Sequence, residues 1–254
     1  MRGDRINGKI NVVIPSYNRA DGLRGRDYFP YAKYVIPESQ REKYRKVLPA
    51  DRIITCRDED DGNIAKKRNW ILRNIPRPLL MMDDDVEYLV HTEGGREKIR
   101  LTPGEAEAVI IHGFNLAHEW GCRLWGINVN TDGRNYQQYK PFSLSQVILG
   151  PFQGHLEHDL CFDERMDTKD DYDMALQMLN TYRKVLRLNK YAYWCKHGDN
   201  AGGIVGHRTW EREVNACRAI MGKWGRGVIR YNIEKPKKFK DLLNGNVRVP
   251  INGV

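Results

Sequence analysis

Three consecutive carboxylates, Asp83, Asp84 and Asp85, directly follow the apolar run Leu79-Leu80-Met81-Met82. Like charges held side by side repel, and a divalent cation gripped by their oxygens is the simplest relief. Side chains alternate along a strand, so an extended backbone here sends Asp83 and Asp85 one way and Asp84 another. The competing reading is a solvated turn after a strand. Three acids abutting an apolar run favour the metal. A second polar group, Ser16-Tyr17-Asn18-Arg19, also follows an apolar stretch and can hydrogen-bond a base, a ribose or a phosphate. Lys67 and Arg68 can bring cations to phosphates, although Lys66-Lys67-Arg68 taken alone reads better as a solvated helix face. Together these groups suit a nucleoside diphosphate with a bound metal.

The elements that must position them alternate in type. Residues 10–15 read as a first buried strand, 34–36 as a second and 52–56 as a third, with a charged helical stretch at 38–47 between the last two. Asp61-Gly62-Asn63 opens a helix carrying Ile64, Arg68, Ile71 and Leu72 at helical spacing, ended before Pro76 and Pro78. The four apolar residues before the acids suit a strand buried on both faces of a parallel sheet. In an open sheet of this kind ligands bind outside the carboxyl ends of the strands, where both polar groups would lie. Further along, Thr102-Pro103-Gly104-Glu105 is a capping box with proline at the first helical position, and its helix runs to about residue 120. Strands are expected at 124–129, 145–149 and 191–195. Amphipathic helices are expected at 172–183, with Ala175, Leu176, Leu179 and Tyr182 inward, and at about 209–221.

The 254-residue chain carries a formal charge of +9, and the basicity is local. Between Lys223 and Lys240 seven basic residues face the single acid Glu234, a net +6, with Trp224, Tyr231 and Phe239 interleaved. That mix suits a phosphate backbone with stacked bases, or equally a solvated arm anchored by a few aromatics. No long apolar run argues for a membrane span and no apolar segment opens the chain, so a cytoplasmic protein is expected, in the host cell if phage-encoded. The five cysteines are scattered and never in a C-x-x-C pair; they read as buried thiols. His155 and His158, three apart with no second paired set, are weak evidence for zinc.

The segment Asn11-Val12-Val13-Ile14-Pro15-Ser16-Tyr17-Asn18-Arg19, the Ala65-Lys66-Lys67-Arg68-Asn69 helix and the Asp83-Asp84-Asp85 triplet, in that order, resemble the nucleotide-sugar half of GT-A glycosyltransferases. Within that group the chain is most similar to the phage TET-associated glycosyltransferases, themselves similar to the base J glucosyltransferase group that glycosylates hydroxymethylated pyrimidines in DNA. The resemblance implies an α/β fold of GT-A, Rossmann-like type, with a mixed, mostly parallel sheet flanked by helices. It divides the chain into a glycosyltransferase domain over 1–222, with a nucleotide-sugar half to 100 and an acceptor half from 101, and a basic segment over 223–254. It implies a UDP-sugar donor, a DNA acceptor and Mn²⁺ or Mg²⁺, which prefer hard oxygen ligands and leave positions for phosphates. Pro15, Ser16, Tyr17, Asn18 and Arg19 would border uracil and ribose, with Lys67, Arg68, Asp83 and Asp84 in the same nucleotide-sugar site. Asp83 and Asp85 would serve the metal as a DXD motif, joined by the late histidine His207, with His197 in reserve. An acceptor hydroxyl must lose a proton as it attacks, so an inverting enzyme needs a carboxylate base across the sugar. Asp170-Asp171 resembles the Glu-Asp pair of inverting members, which makes Asp171 the base beside Asp170; one acid of this group is expected to cap the helix. Lys223, Arg226, Arg230, Lys237 and Lys238 would hold DNA. Gly202 and Gly203 either let backbone approach the sugar or form a turn.

Three rival readings follow from the same residues. One gives the same core a glycan, lipid or protein acceptor; another makes it a sugar-nucleotide nucleotidyltransferase, against which stands the lack of a Gly-rich loop with a following basic residue after the first strand; the third makes the chain a non-catalytic DNA-binding module, which leaves three carboxylates beside a DNA backbone unexplained.

Overall fold

The computed structural model describes residues 9–94, 97–129, 131–166, 168–195, 209–231 and 246–247. Four parallel strands form one half of a large mixed sheet: β1 (Asn11–Pro15), β2 (Lys33–Pro37), β3 (Ile53–Cys56) and β4 (Leu79–Met82), in the spatial order β3-β2-β1-β4. Helix α1 (Arg41–Arg45) and helix α2 (Ile64–Asn74) lie in the crossovers. The sheet continues through β9 (Phe152–His155), β7 (Leu124–Asn128), β10 (Leu186–Cys195), β5 (Val86–His91) and β6 (Ile99–Arg100), with β8 (Phe142–Ser143) also on β10. Most strands run one way; β5, β8 and β9 are reversed. Helices α3 (Pro103–Glu119), α4 (Asp170–Tyr182) and α5 (Trp210–Trp224) follow, and β11 (Ile229–Arg230) pairs with β12 (Asn246–Val247).

β4 has all four side chains buried and feeds both faces of the sheet. Leu80 and Met82 join the layer beneath α3, with Ile110 and Phe114; Leu79 and Met81 join the layer beneath α2 and α4, with Ile71, Met174 and Met178. Fully burying such a side chain is worth about 1.5–3 kcal/mol, so each β4 residue commits the strand to the centre of the molecule. Trp125 crosses the first layer between Gly113 and Gly154, where any Cβ would collide with its indole. Asn63 caps α2 by accepting the Lys66 N–H, and Thr102 and Glu105 form the reciprocal capping box of α3.

Several sequence expectations need correction. Residues 145–149 form no strand; the chain there approaches β9 in irregular conformation, and its apolar Ile148 packs beneath the sheet. The charged stretch at 38–47 is only one short α-helix preceded by a 3-10 turn. The last sheet strand is twice as long as expected, beginning at Leu186. Cys161 is exposed and Cys195 half-buried, so not every thiol is buried. α5 runs through Trp224, past residue 222.

Candidate active site

Parallel pairing sets Val13 opposite Met81, which brings the residues after β1 and after β4 to one edge of the sheet. Strand geometry ends at Met82, so the acids do not alternate as an extended chain would. Asp83 donates its N–H to the Pro151 carbonyl and accepts the Val86 N–H, making a tight turn that aims each carboxylate differently.

Asp84 points inward and is buried. Its Oδ2 accepts the Ser16 hydroxyl at 2.6 Å and its Oδ1 pairs with the Arg19 guanidinium at 2.5 Å. Because Ser16 spends its proton on Asp84, the Tyr44 hydroxyl must donate to Ser16 Oγ across 2.7 Å, and Tyr44 in turn accepts the Arg19 N–H at 3.1 Å. The loop is thus tied in a closed ring of four groups. Asn18 sits at φ 56°, a left-handed conformation that Asn tolerates better than most residues, and its N–H donates to Gln40. Pro15 and Ser16 are buried, and Tyr17 stays half-exposed with the Lys67 ammonium 5.7 Å from its ring centre.

The expectation of a solvated Lys66-Lys67-Arg68 face fails: Lys67 is 2 % exposed and Arg68 3 %. Lys67 donates to the Ser16 carbonyl and pairs with Asp61, each at 2.6 Å, so it bolts α2 under the first loop. Arg68 bridges two acids from distant parts of the chain, Asp83 at 3.0 Å and Asp170 at 2.6 Å. Burial works against its charge, but Asp170 and Asp83 outweigh it and keep the guanidinium protonated. Gly150 lies against the guanidinium with no room for a Cβ. Its N–H donates to Asp171 Oδ2 at 2.9 Å, while Asp171 Oδ1 accepts the Tyr172 N–H.

Neither acid caps α4. The cap position falls on Lys169, left-handed at φ 67°, which makes no side-chain cap bond, and the contact of Asp171 with a first-turn amide comes from inside the helix, to Tyr172. Asp170 is enclosed with Arg68, and burial raises its carboxyl above the ordinary range despite that pairing. Asp171 is the less enclosed of the two. It reaches the same neighbourhood as the triplet through the Asp83–Arg68–Asp170 bridge.

Asp85 is different in kind. Its Oδ1 is buried with no hydrogen-bond partner among the described residues, and burial together with the charges of Asp83 and Asp84 pushes its carboxyl up to about 7. Among the described residues no group of three or more His, Cys, Asp or Glu side chains forms a ready metal cage. The pair Asp83 and Asp85, one with an unpartnered buried oxygen and the other 32 % exposed, is nonetheless a hard oxygen donor set. It fits a small divalent cation that takes one or two carboxylates and fills its other positions with phosphates and water. His207 and His197, Gly202 and Gly203, Asp167, Lys237 and Lys238 lie outside the described residues.

The basic segment is divided. Lys223 pairs with Asp163 at 3.0 Å and Asp173 at 2.8 Å, and Trp224 donates its indole N–H to Asp173, so both fasten α5 to α4. Arg226 and Arg230 are exposed. A second basic and aromatic group, which local sequence does not advertise, lies beside the acid turn. Tyr88 and Trp194, paired across β5 and β10, stack 5.9 Å apart at 7°. Arg100 lies 4.2 Å from the Tyr88 centroid and Lys98 5.3 Å from that of Trp194, both exposed.

Residues 10–203 match the family model described as TET-Associated Glycosyltransferase. The chain belongs to the TET-associated glycosyltransferase family. No curated protein matches it. A solved structure of CMP:2-keto-3-deoxy-manno-octonic acid synthetase complexed with CTP is 9 % identical, covering 85 % of this chain and 99 % of that one at a TM-score of 0.39, a likeness too slight to carry an argument. As a TET-associated glycosyltransferase the protein is a sugar-transferring enzyme, and the matched span contains the loop after β1, the acid turn, the Arg68 bridge and Asp171. Among the described residues no helix is long and apolar enough to cross a membrane.

Proposed function

We propose that this glycosyltransferase moves a sugar from a UDP-sugar to the hydroxyl of a 5-hydroxymethylpyrimidine in DNA, 5-hydroxymethylcytosine, with Mn²⁺ or Mg²⁺ at Asp83 and Asp85. The observation that carries the reading is the unpartnered buried oxygen of Asp85 beside Asp83, at the sheet edge shared with the Ser16–Arg19 loop. An orphaned buried acceptor among like charges is costly unless a ligand satisfies it. A bound divalent cation would stabilise negative charge developing on the diphosphate leaving group.

The chain's own residues supply the rest. Ser16, Asn18 and Arg19, fixed by Asp84, Gln40 and Tyr44, form a rigid wall suited to a base and ribose, with half-exposed Tyr17 free to pack on the base. Lys67 and Arg68 act one step removed, Lys67 by holding the loop and Arg68 by fixing Asp83 relative to α4. Asp170, enclosed with Arg68, leaves Asp171 as the base that takes the acceptor proton during an inverting displacement. DNA as acceptor is supported by family membership and by the stacked Tyr88–Trp194 pair flanked by Lys98 and Arg100, a combination that suits an unstacked base and its phosphates.

The test is to incubate the protein with Mn²⁺, a panel of UDP-sugars and DNA carrying hydroxymethylated or ordinary pyrimidines, then digest the DNA and weigh the nucleosides. A gain of one hexose or N-acetylhexosamine on the hydroxymethylated nucleoside alone is expected. Unmodified nucleosides with every donor, alongside sugar transfer to a glycan or protein, would overturn the acceptor assignment.

A further inference from the structure

Tyr193 lies on β10 opposite Leu89, two residues before Cys195, which pairs with Val86, the first residue after the acid turn. Its ring is packed in the core with Val86 and Leu89, and the residue is 2 % exposed. Its hydroxyl is buried and has no hydrogen-bond partner among the described residues. A phenol in such a place ordinarily finds one, and a buried hydroxyl left alone is costly. A phenylalanine would fill the same space without that cost, so the hydroxyl calls for a ligand.

Its surroundings say which part of a ligand it meets. The hydroxyl stays protonated, since burial, then Cys195, and then the carboxylates Asp83, Asp171 and Asp85 all oppose its ionisation. It is therefore a donor, on the strand whose pairing with β5 starts at Val86, directly after the acid turn. In the reaction proposed above, on which this inference rests, the group next to the diphosphate held at the acid turn is the sugar being transferred. We propose that the Tyr193 hydroxyl donates a hydrogen bond to a hydroxyl oxygen of that sugar and is a donor-specificity residue of the site. A site built to hydrogen-bond one sugar hydroxyl discriminates against epimers that place it elsewhere.

The test compares wild type with Tyr193→Phe in three measurements with Mn²⁺ present or absent. The ligand-free variant should melt at or above the wild-type temperature, because an unsatisfied polar atom has been removed. The best UDP-sugar among UDP-glucose, UDP-galactose and UDP-N-acetylglucosamine should bind about five- to ten-fold more weakly, the scale of one neutral hydrogen bond, and its preference over the others should shrink. Binding of UDP, which lacks the sugar, should be unchanged. A lower ligand-free melting temperature, equal losses for UDP and UDP-sugar, or no loss for any UDP-sugar would each overturn the inference. If wild type binds none of these nucleotides, the donor reading fails and takes this inference with it.

Discussion

Arg68→Met tests whether the site is held together by one buried charge. Arg68 is the link between Asp83, at the end of β4, and Asp170, at the start of α4, 2.6 Å from the latter. Asp83 is 32 % exposed and can turn to water when the guanidinium is lost, so its share of the loss is small. Asp170 is enclosed and cannot, and removing one partner of a buried pair costs about 3–5 kcal/mol. For a domain of this size each kcal/mol lowers the melting temperature by about 2–4 °C, so Arg68→Met should melt about 6–20 °C below wild type. Asp170→Asn should cost less, because Arg68 keeps Asp83. The double variant should recover on the order of 2 kcal/mol relative to Arg68→Met, since the stranded charge is gone and only an imperfectly bonded amide remains. Urea denaturation of the four proteins at pH 7.5 provides the cycle. A loss under about 1 kcal/mol in Arg68→Met, or further destabilisation when Asp170→Asn is added, would refute the view of Arg68 as the tie between the two acid groups.

Asp85→Asn removes one of three crowded charges, so the metal-free protein should gain about 1–2 kcal/mol at pH 8, while the melting shift on adding Mn²⁺ and sugar transfer should both disappear; a retained Mn²⁺ shift would exclude Asp85 as a ligand. His158 accepts the Leu160 N–H at Nδ1 and so donates from Nε2 to His155 Nδ1, which keeps both rings neutral. Burial lowers the pKa of His158 to about 4 and that of His155 well below its ordinary value, so between about pH 4 and 6.5 these two rings bind more protons in the unfolded chain than in the folded one. The contribution of each ring, fully present above about pH 6.5, should therefore be lost as pH drops toward 4, on the order of 3 kcal/mol of it from His158, while Asp85 works in the opposite sense; in a pH series of urea melts the gap between wild type and His158→Gln should narrow by about that amount toward pH 4. Lys98→Ala with Arg100→Ala should raise the KM for DNA about 5- to 50-fold and weaken its salt dependence, leaving the KM for UDP-sugar unmoved, as steady-state kinetics at several salt concentrations will report. Lys223→Met should instead lower stability by about 2–3 kcal/mol with the KM for DNA nearly unchanged, because Lys223 serves Asp173 and Asp163.

Local sequence was sufficient to identify the parallel half of the sheet. Short apolar runs broken by Asn63 and Thr102 caps leave few other folds, because buried strands and capped helices are set by neighbours along the chain. The same chemistry placed the loop after β1 and the acids after β4 at one sheet edge, as parallel strands require. Tertiary structure decided what each polar residue faces. The turn at Asp83 broke the alternation and sent Asp84 into the protein; burial converted Lys67 and Arg68 from surface cations into internal ties; and Lys223 was claimed by Asp173 on another helix. The Tyr88–Trp194 stack and the Tyr193 hydroxyl depend on the pairing of β5 with β10, strands separated by about a hundred residues. A charged or aromatic side chain declares its chemistry in the sequence, but its partner is chosen by whichever distant segment the fold packs against it.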